Sequence, residues 1–170
     1  MKAFEECLKT LEIIDHTSLR FHSKSDLITD MLPKFISIYE ALSRSEREEL
    51  FYRVSSKLGM KLVYLGSLAA ERAIDLNSVE WIKYGIVMHI LEGFRTDYRE
   101  NIRNLIFLYY ASNELGFNFK NICKGLLVFA KKDVQNKFED FFCRDPKLND
   151  LRAFGVKVEK KNNRTRFVSI

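Results

Sequence analysis

The side chains best suited to metal binding or nucleophilic catalysis are three histidines and three cysteines: His16, His22, His89, Cys7, Cys123 and Cys143. No histidine has a second ligand at helical spacing, and the odd set of cysteines contains no CxxC pair. The phosphate-binding GxxxxGK[ST], dinucleotide-binding GxGxxG and zinc-binding HExxH motifs do not occur. We therefore expect His89 to be a core or boundary histidine, the cysteines to be buried structural thiols in a reducing compartment, and the protein to bind no metal or cofactor.

A charged and aromatic cluster precedes and opens a strongly apolar segment. Its members are Arg95, Asp97, Tyr98, Arg99 and Arg103. One interpretation is a solvated, capped helix start, and the other is a polar recognition edge. Tyr and Arg are the residues most enriched in binding hot spots, and a rigid helix start loses little entropy on binding. We expect the cluster to bind a partner, and alanine at Tyr98 and Arg99 to lower affinity at least tenfold, or about 1.4 kcal/mol.

A second positive group lies in the last fifteen residues, which carry four of the five net positive charges of the chain. Residues 156–158 and 165–168 alternate polar and apolar types around Asn162 and Asn163, a pattern that predicts a β-hairpin. The candidate partner-binding bases of this hairpin are Lys160, Lys161, Arg164 and Arg166. The segment 156–170 is therefore expected to form a basic hairpin or tail.

Helical periodicity organises the rest of the chain, from Phe4 to Phe142. At 170 residues, with only nine Gly and Pro in total, the sequence predicts one all-α domain over residues 1–155. Residues 97–116 contain a capping-box pair, Asp97 and Glu100, and end in a glycine suited to a left-handed helix terminus. Because residues 105–111 are apolar on every face, this segment is predicted to be the central helix.

Further helix boundaries follow from local signals. Capping-box spacing is present in two other pairs, Ser45/Glu48 and Asn77/Glu80. Asn118 is expected to start a helix that runs to about Ala130. Pro33 interrupts an otherwise helical period, so either the helix is kinked there or a new helix begins.

An internal repeat relates two successive helix pairs. Matching positions lie about 41 residues apart, a period in the range of HEAT and armadillo repeats. They include Ala70 and Ala111, Asn77 and Asn118, Lys83 and Lys124, and Val87 and Val128. One helix pair cannot bury its own apolar face, so pairs stack. The sequence thus predicts HEAT-like stacked helix pairs, with an irregular helical bundle as the alternative.

The segment Asp97-Tyr98-Arg99-Glu100-Asn101, with Leu105, Tyr109-Tyr110-Ala111 and Leu115-Gly116 after it, resembles one that recurs in small bacterial HEAT-like helical proteins. Some such proteins resemble immunity proteins of polymorphic-toxin and contact-dependent growth inhibition systems. The resemblance covers residues 67–130. It implies a cytoplasmic, non-enzymatic protein that binds and neutralises one cognate toxin domain, often a nuclease.

Two functions from different classes are therefore carried forward. The first is a protein-binding module of the immunity type, and the alternative is a nucleic-acid-associated regulator that uses the basic tail. An enzyme is not expected, since the Arg and His spacing of HEPN-type helical ribonucleases is missing. The acidic start, with Glu5 and Glu6, and the lack of an eighteen-residue apolar run predict neither a signal peptide nor a membrane span.

Overall fold

The computed structural model describes residues 2–15, 21–54, 66–94, 98–144 and 150–170. The described residues form helices followed by two strands. The elements are α1 Lys2–Asp15, α2 Phe21–Ala41, α3 Arg44–Val54, α4 Ser67–Leu76, α5 Val79–Glu92, α6 Tyr98–Glu114, α7 Phe119–Leu126, α8 Lys132–Cys143, α9 Asp150–Ala153, β1 Val156–Lys161 and β2 Arg164–Ser169. The predicted all-α fold with a small C-terminal hairpin is confirmed.

Helix α5 lies at the centre of the described structure. Residues 84–92 are all buried, as are Trp81 and Ile82. The helix packs against α2, α3, α4, α6 and α7. The sequence favours α6 for this role, and that prediction is wrong, because α6 keeps Tyr109 and Tyr110 half-buried along one side. His89 is fully buried on α5, as expected for a core or boundary histidine. Cys7 and Cys123 are buried as predicted, but the prediction is wrong for Cys143, which is exposed at the end of α8.

Helices α4 to α7 form two helix pairs that lie side by side. Helix α4 packs on α6 and α5 packs on α7, so equivalent helices of the two pairs are in contact. This is the stacked arrangement that the internal repeat predicts. On another side of α5 lies α2, and α1 packs on α2.

The turns inside the two pairs differ in detail. Asn77 has a left-handed φ of 50° and ends α4, so it does not cap α5, which follows Ser78. Asn118 does cap α7, since its side chain accepts the N–H of Asn121 at 3.0 Å. In the second pair the left-handed residue is Gly116, with φ of 78°. The internal repeat therefore holds for the packing of the helices, but the two turns differ in which residue is left-handed and which residue caps the next helix.

The N-terminal cap of helix α3 lies two residues earlier than predicted, at Ser43 instead of Ser45. The N–H of Ser43 donates to the Glu46 carboxylate at 3.0 Å, and the N–H of Glu46 donates to the Ser43 hydroxyl at 3.3 Å. Two overlapping Ser-x-x-Glu pairs are present here, and the first one forms the capping box rather than Ser45 with Glu48. Pro33 lies inside an uninterrupted α2.

The hairpin has the predicted residues and turn. Strands β1 and β2 pair antiparallel, with Val156 opposite Ser169 and Lys161 opposite Arg164. Asn162 and Asn163 have φ of 53° and 61°, as a two-residue type I′ turn requires. Because an isolated hairpin is marginal, its contacts with the helices decide whether it is stable.

Candidate functional site

The hairpin docks on α4 through backbone hydrogen bonds to two carboxylates. The N–H of Thr165 donates to Asp75 Oδ1 at 2.8 Å, and the N–H of Phe167 donates to Glu71 Oε1 at 2.9 Å. Residues four apart on a helix are about 6 Å apart, close to the spacing of alternate residues on a strand. The two carboxylates thus match the outward N–H groups of β2 and cover an edge that would otherwise be open to strand pairing.

Helix α6 supplies the second half of the hairpin's docking surface. The ring of Phe167 lies 4.7 Å from that of Phe107 and 5.7 Å from that of Tyr110. Lys160 Nζ lies 3.4 Å from Glu114 Oε2. We call this set of contacts on α4 and α6 the hairpin face. It explains why a two-stranded sheet of this length is ordered on the helices.

The predicted recognition edge at the start of α6 is only partly described. Arg95 and Asp97 lie outside the described residues, as does the side chain of Tyr98. The Arg99 guanidinium donates to the Ala153 carbonyl at 3.4 Å and lies 4.8 Å from the ring of Phe154.

Further along α6, Arg103 pairs with Glu100 and its guanidinium lies 6.0 Å from the Phe107 ring. Arg99 and Arg103 are one helical turn apart, and the same side of α6 continues through Phe107 and Tyr110 to Glu114. Arg99 and Arg103 therefore lie on the side of α6 that Phe167 of the hairpin contacts further along, at Phe107 and Tyr110.

Two bases of the hairpin, Lys160 and Arg166, contact carboxylates of the helices. Arg166 Nη1 lies 3.0 Å from Asp75 Oδ2, whose side chain is 9% exposed. Lys161 and Arg164 flank the turn and are exposed. Burial raises the pKa of Glu71, against the opposing effect of the Phe167 N–H and the nearby Arg166. Of the four predicted hairpin bases, Lys160 and Arg166 thus contribute to docking on the helices, and Lys161 and Arg164 are exposed.

A second surface, which the sequence did not indicate, surrounds the turn between α7 and α8. We call residues 127–131 the aromatic turn. Val128 and Phe129 are 48% and 45% exposed, and Tyr52 of α3, nearby, is 67% exposed. The ammonium of Lys131 lies 4.4 Å from the rings of both Phe51 and Tyr52, which ties the turn to α3.

Arg47 is a buried side chain that binds the aromatic turn. This arginine is only 6% exposed. Its guanidinium donates to the carbonyls of Tyr39 at 3.0 Å and Glu40 at 3.2 Å, and also to the carbonyl of Val128. It lies 4.4 Å from the Tyr39 ring and 5.7 Å from the Phe129 ring. One side chain thus joins the end of α2 to a turn 81 residues further along the chain.

The backbone of the turn is unusual at Phe129. Its φ of 66° is left-handed, a conformation that costs a bulky residue on the order of 1–2 kcal/mol. The amide of Gln135 donates to the carbonyls of Leu127 and Ala130 at 3.3 and 2.9 Å. With Arg47 on one side and Gln135 on the other, the turn has a fixed shape.

Two open cavities flank Phe129. One, of about 480 Å³, is lined by residues that include Arg44, Glu48, Tyr52, Lys131, Lys132 and Gln135. The other, of about 560 Å³, is lined by residues that include Glu40, Arg47, Lys83, Ile122, Gly125 and Val128. Phe129 lines both of them and forms the ridge between them. Such concave spaces beside an aromatic ridge suit the insertion of side chains from a partner.

The sequence predicts a helix through Ala130, whereas α7 ends at Leu126. The signal that was missed is the change from the apolar residues Val128 to Ala130 to the two bases Lys131 and Lys132 at a helix end.

Comparison with known proteins adds no assignment. No protein-family model, no curated protein and no solved structure matches the chain. In the ranges that the structure describes, no group of three or more His, Cys, Asp or Glu is placed to hold a metal ion. None of the helices in those ranges is long and apolar enough to cross a membrane.

Proposed function

We propose that this protein is a non-enzymatic protein-binding module, and specifically an immunity protein that neutralises a cognate toxin domain in the bacterial cytoplasm. The observation that carries the proposal is the aromatic turn. Phe129 is held half-exposed in a left-handed conformation by Arg47 and Gln135. Strain of this kind persists only where the surrounding structure enforces it, and it concentrates at binding sites.

The energetics favour binding as the purpose of the turn. Folding alone gains little from an exposed ring, and burying the Arg47 charge has a desolvation cost. A partner that covers Phe129 and Tyr52 would remove apolar area from water, at about 25 cal/mol per Å². Since the turn is already fixed, little ordering entropy would be lost on binding.

The toxin as partner is supported by the resemblance of residues 97–116 to helical proteins related to immunity proteins. That segment coincides with α6, the first helix of the second stacked pair. The aromatic turn directly follows α7, the second helix of the same pair. Stacked helix pairs commonly bind partners along such rigid surfaces.

The alternative, a nucleic-acid-associated regulator, is supported by the exposed Lys161 and Arg164 at the hairpin turn. Three carboxylates of α4 and α6 contact hairpin groups: Glu71, Asp75 and Glu114. This reduces the positive charge left for phosphates. Phosphate binding should weaken steeply with salt, whereas a complex with a hydrophobic centre should weaken much less.

The test is co-expression with the C-terminal domain of the protein that the gene immediately upstream encodes. We expect restored growth and a stable one-to-one complex by size-exclusion chromatography with light scattering. The complex should persist at moderate salt. If growth is not restored and no complex forms, while single-stranded DNA is retained at low salt, the immunity function is wrong and the nucleic-acid function is favoured.

A further inference from the structure

We infer that the aromatic turn is the partner-binding site and that its occupant is an acidic protein segment with apolar side chains that fit on either side of Phe129. This inference rests on the proposed protein-binding function and adds to it the site and the chemistry of the partner. The sequence had pointed to the start of α6 and the hairpin bases instead.

The shape of the site fits a partner segment that contacts both sides of the Phe129 ring. Phe129 stands between cavities of about 480 and 560 Å³, and Val128 and Ile122 give the larger one an apolar lining. Gly125 adds open space there, since a Cβ at that position would meet no atom within 4 Å. A partner with one large apolar side chain on each side of the Phe129 ring would bury both faces of the ridge.

The charge around the turn calls for carboxylates. Within the described ranges, Lys124, Lys131 and Lys132 have no carboxylate within ion-pair distance, and the polar contacts of Arg47 are all to carbonyl oxygens. The Nε of Arg47 is buried and has no hydrogen-bond partner. Lys131 and Lys132, which both line the cavity of about 480 Å³, thus bring two positive charges to the turn without a carboxylate partner in the described ranges, which favours an acidic occupant.

Glu40 and Glu48 argue against a nucleic acid at this site. Each lines one of the two cavities and pairs only at the surface, Glu40 with Lys83 at 3.7 Å and Glu48 with Arg44 at 3.4 Å. The phosphates of a nucleic-acid backbone laid across the site would pass close to both carboxylates, which would repel them. An acidic peptide can instead place its few carboxylates beside the lysines, with apolar side chains between them.

The first experiment uses defined probes on the ¹⁵N-labelled protein. These are a short peptide with a central Trp-Leu pair flanked by Glu, the same peptide flanked by Lys, and oligothymidylate. We expect the acidic peptide alone to shift the amide resonances of residues 127–131 and of α3. No shift there, or shifts confined to the hairpin, would overturn the assignment. Oligothymidylate acting on the turn in place of the acidic peptide would favour the nucleic-acid reading and also overturn it.

The second experiment uses a matched pair of variants, Phe129→Asn and Phe117→Asn. The two phenylalanines are 45% and 44% exposed, so each change removes a similar exposed ring. Asn accepts left-handed φ, so the turn keeps its backbone when Phe129 is replaced. We expect Phe129→Asn to weaken the acidic peptide at least tenfold, and Phe117→Asn to change binding less than twofold. Equal effects of the two variants would contradict the assignment.

A charge-reversal pair covers the case in which Phe129→Asn does not fold. Lys131→Glu with Lys132→Glu should abolish binding of the acidic peptide. Lys157→Glu with Lys161→Glu, the same charge change on the hairpin, should change the affinity for the acidic peptide less than threefold.

If the toxin complex forms and the turn variants do not weaken it, the site is wrong and the proposed function stands. If the acidic peptide binds the turn but no toxin complex forms, the immunity function is wrong and the site stands.

Discussion

The hairpin and the aromatic turn both combine positive charge with aromatic rings, and they use them in opposite ways. In the hairpin, Arg166 lies 3.0 Å from an α4 carboxylate, and the Phe167 ring packs on α6. At the aromatic turn, Arg47 binds carbonyl oxygens, and Phe129 keeps nearly half of its surface exposed. The first region completes the fold, whereas the second buries its arginine and leaves the rings of Phe129 and Tyr52 exposed to solvent.

The comparison shows that net charge along a sequence does not locate a binding surface. The hairpin carries most of the net charge of the chain, yet the carboxylates that meet it lie up to about a hundred residues away. The aromatic turn carries one lysine, Lys131, with Lys132 directly after it, and the buried arginine that binds the turn comes from another helix. Which charges remain available is therefore decided by tertiary contacts.

The largest effect is expected at Arg47. Arg47→Met removes the donor to three carbonyls and should lower the free energy of unfolding by about 3 kcal/mol, since each buried group left unpaired costs about 1–3 kcal/mol. Arg44→Met is the control, because Arg44 is 76% exposed and its pair with Glu48 is worth about 0.5 kcal/mol or less. Urea unfolding measures both. Equal losses would mean that Arg47 does not hold the turn.

A smaller effect is expected at Asp75, which anchors the hairpin. Asp75→Ala leaves the N–H of the buried Thr165 unpaired and should cost about 2 kcal/mol. Amide hydrogen exchange at Thr165 and Phe167 should accelerate, while exchange in α5 should not. The matched control is Asp133→Ala, which breaks only the exposed pair with Lys137. Unchanged exchange at Thr165 would show that the hairpin does not depend on α4.

The double variant Tyr98→Ala with Arg99→Ala tests whether the start of α6 or the aromatic turn binds the partner. If the aromatic turn binds the partner, affinity for the toxin should fall less than threefold, about 0.6 kcal/mol. Loosened contacts of Arg99 with Ala153 and Phe154 should instead appear as a lower melting temperature. A tenfold or greater loss of affinity, with the fold intact, would return the site to the start of α6 as the sequence predicts.

The smallest effect concerns Glu71 and pH. Burial raises the pKa of the Glu71 carboxyl in the folded protein. The stability that this carboxyl contributes is therefore greatest below pH 4.5, its ordinary pKa, and is lost as the pH rises through the raised pKa. Glu71→Gln keeps an acceptor for the Phe167 N–H without the charge. We expect this variant to be more stable than the parent at neutral pH, by about 0.5 kcal/mol or less. Melting curves at several pH values should show the difference shrinking toward pH 4. A difference that grows on acidification would contradict this.

The fold was largely predictable because it rests on local signals. Helical periodicity locates the helices, and Asn162-Asn163 between alternating residues locates the hairpin. The position of the centre was not predictable from apolar runs alone. In α5 a lysine and a histidine interrupt the apolar pattern, yet Lys83 reaches outward to Glu40 while His89 is buried.

The candidate site was not predictable, for a physical reason. Val128 and Phe129 match the apolar positions of a helix face, and only tertiary contacts turn them outward. Those contacts come from Arg47 and Gln135, and the left-handed φ of Phe129 goes against the preference of its residue type. Local sequence rules describe preferences, so a site built against a preference escapes them.

The contact between Arg47 and the aromatic turn also sets an order in time. It joins residues 81 positions apart, and a loop of that size closes only after nearer contacts have formed. Until α7 is synthesised and packed on α5, Arg47 has no Val128 carbonyl to bind, and Phe129 has no fixed direction. The surface around Phe129 would therefore take its final shape only after α7 has packed on α5, late in the folding of the chain.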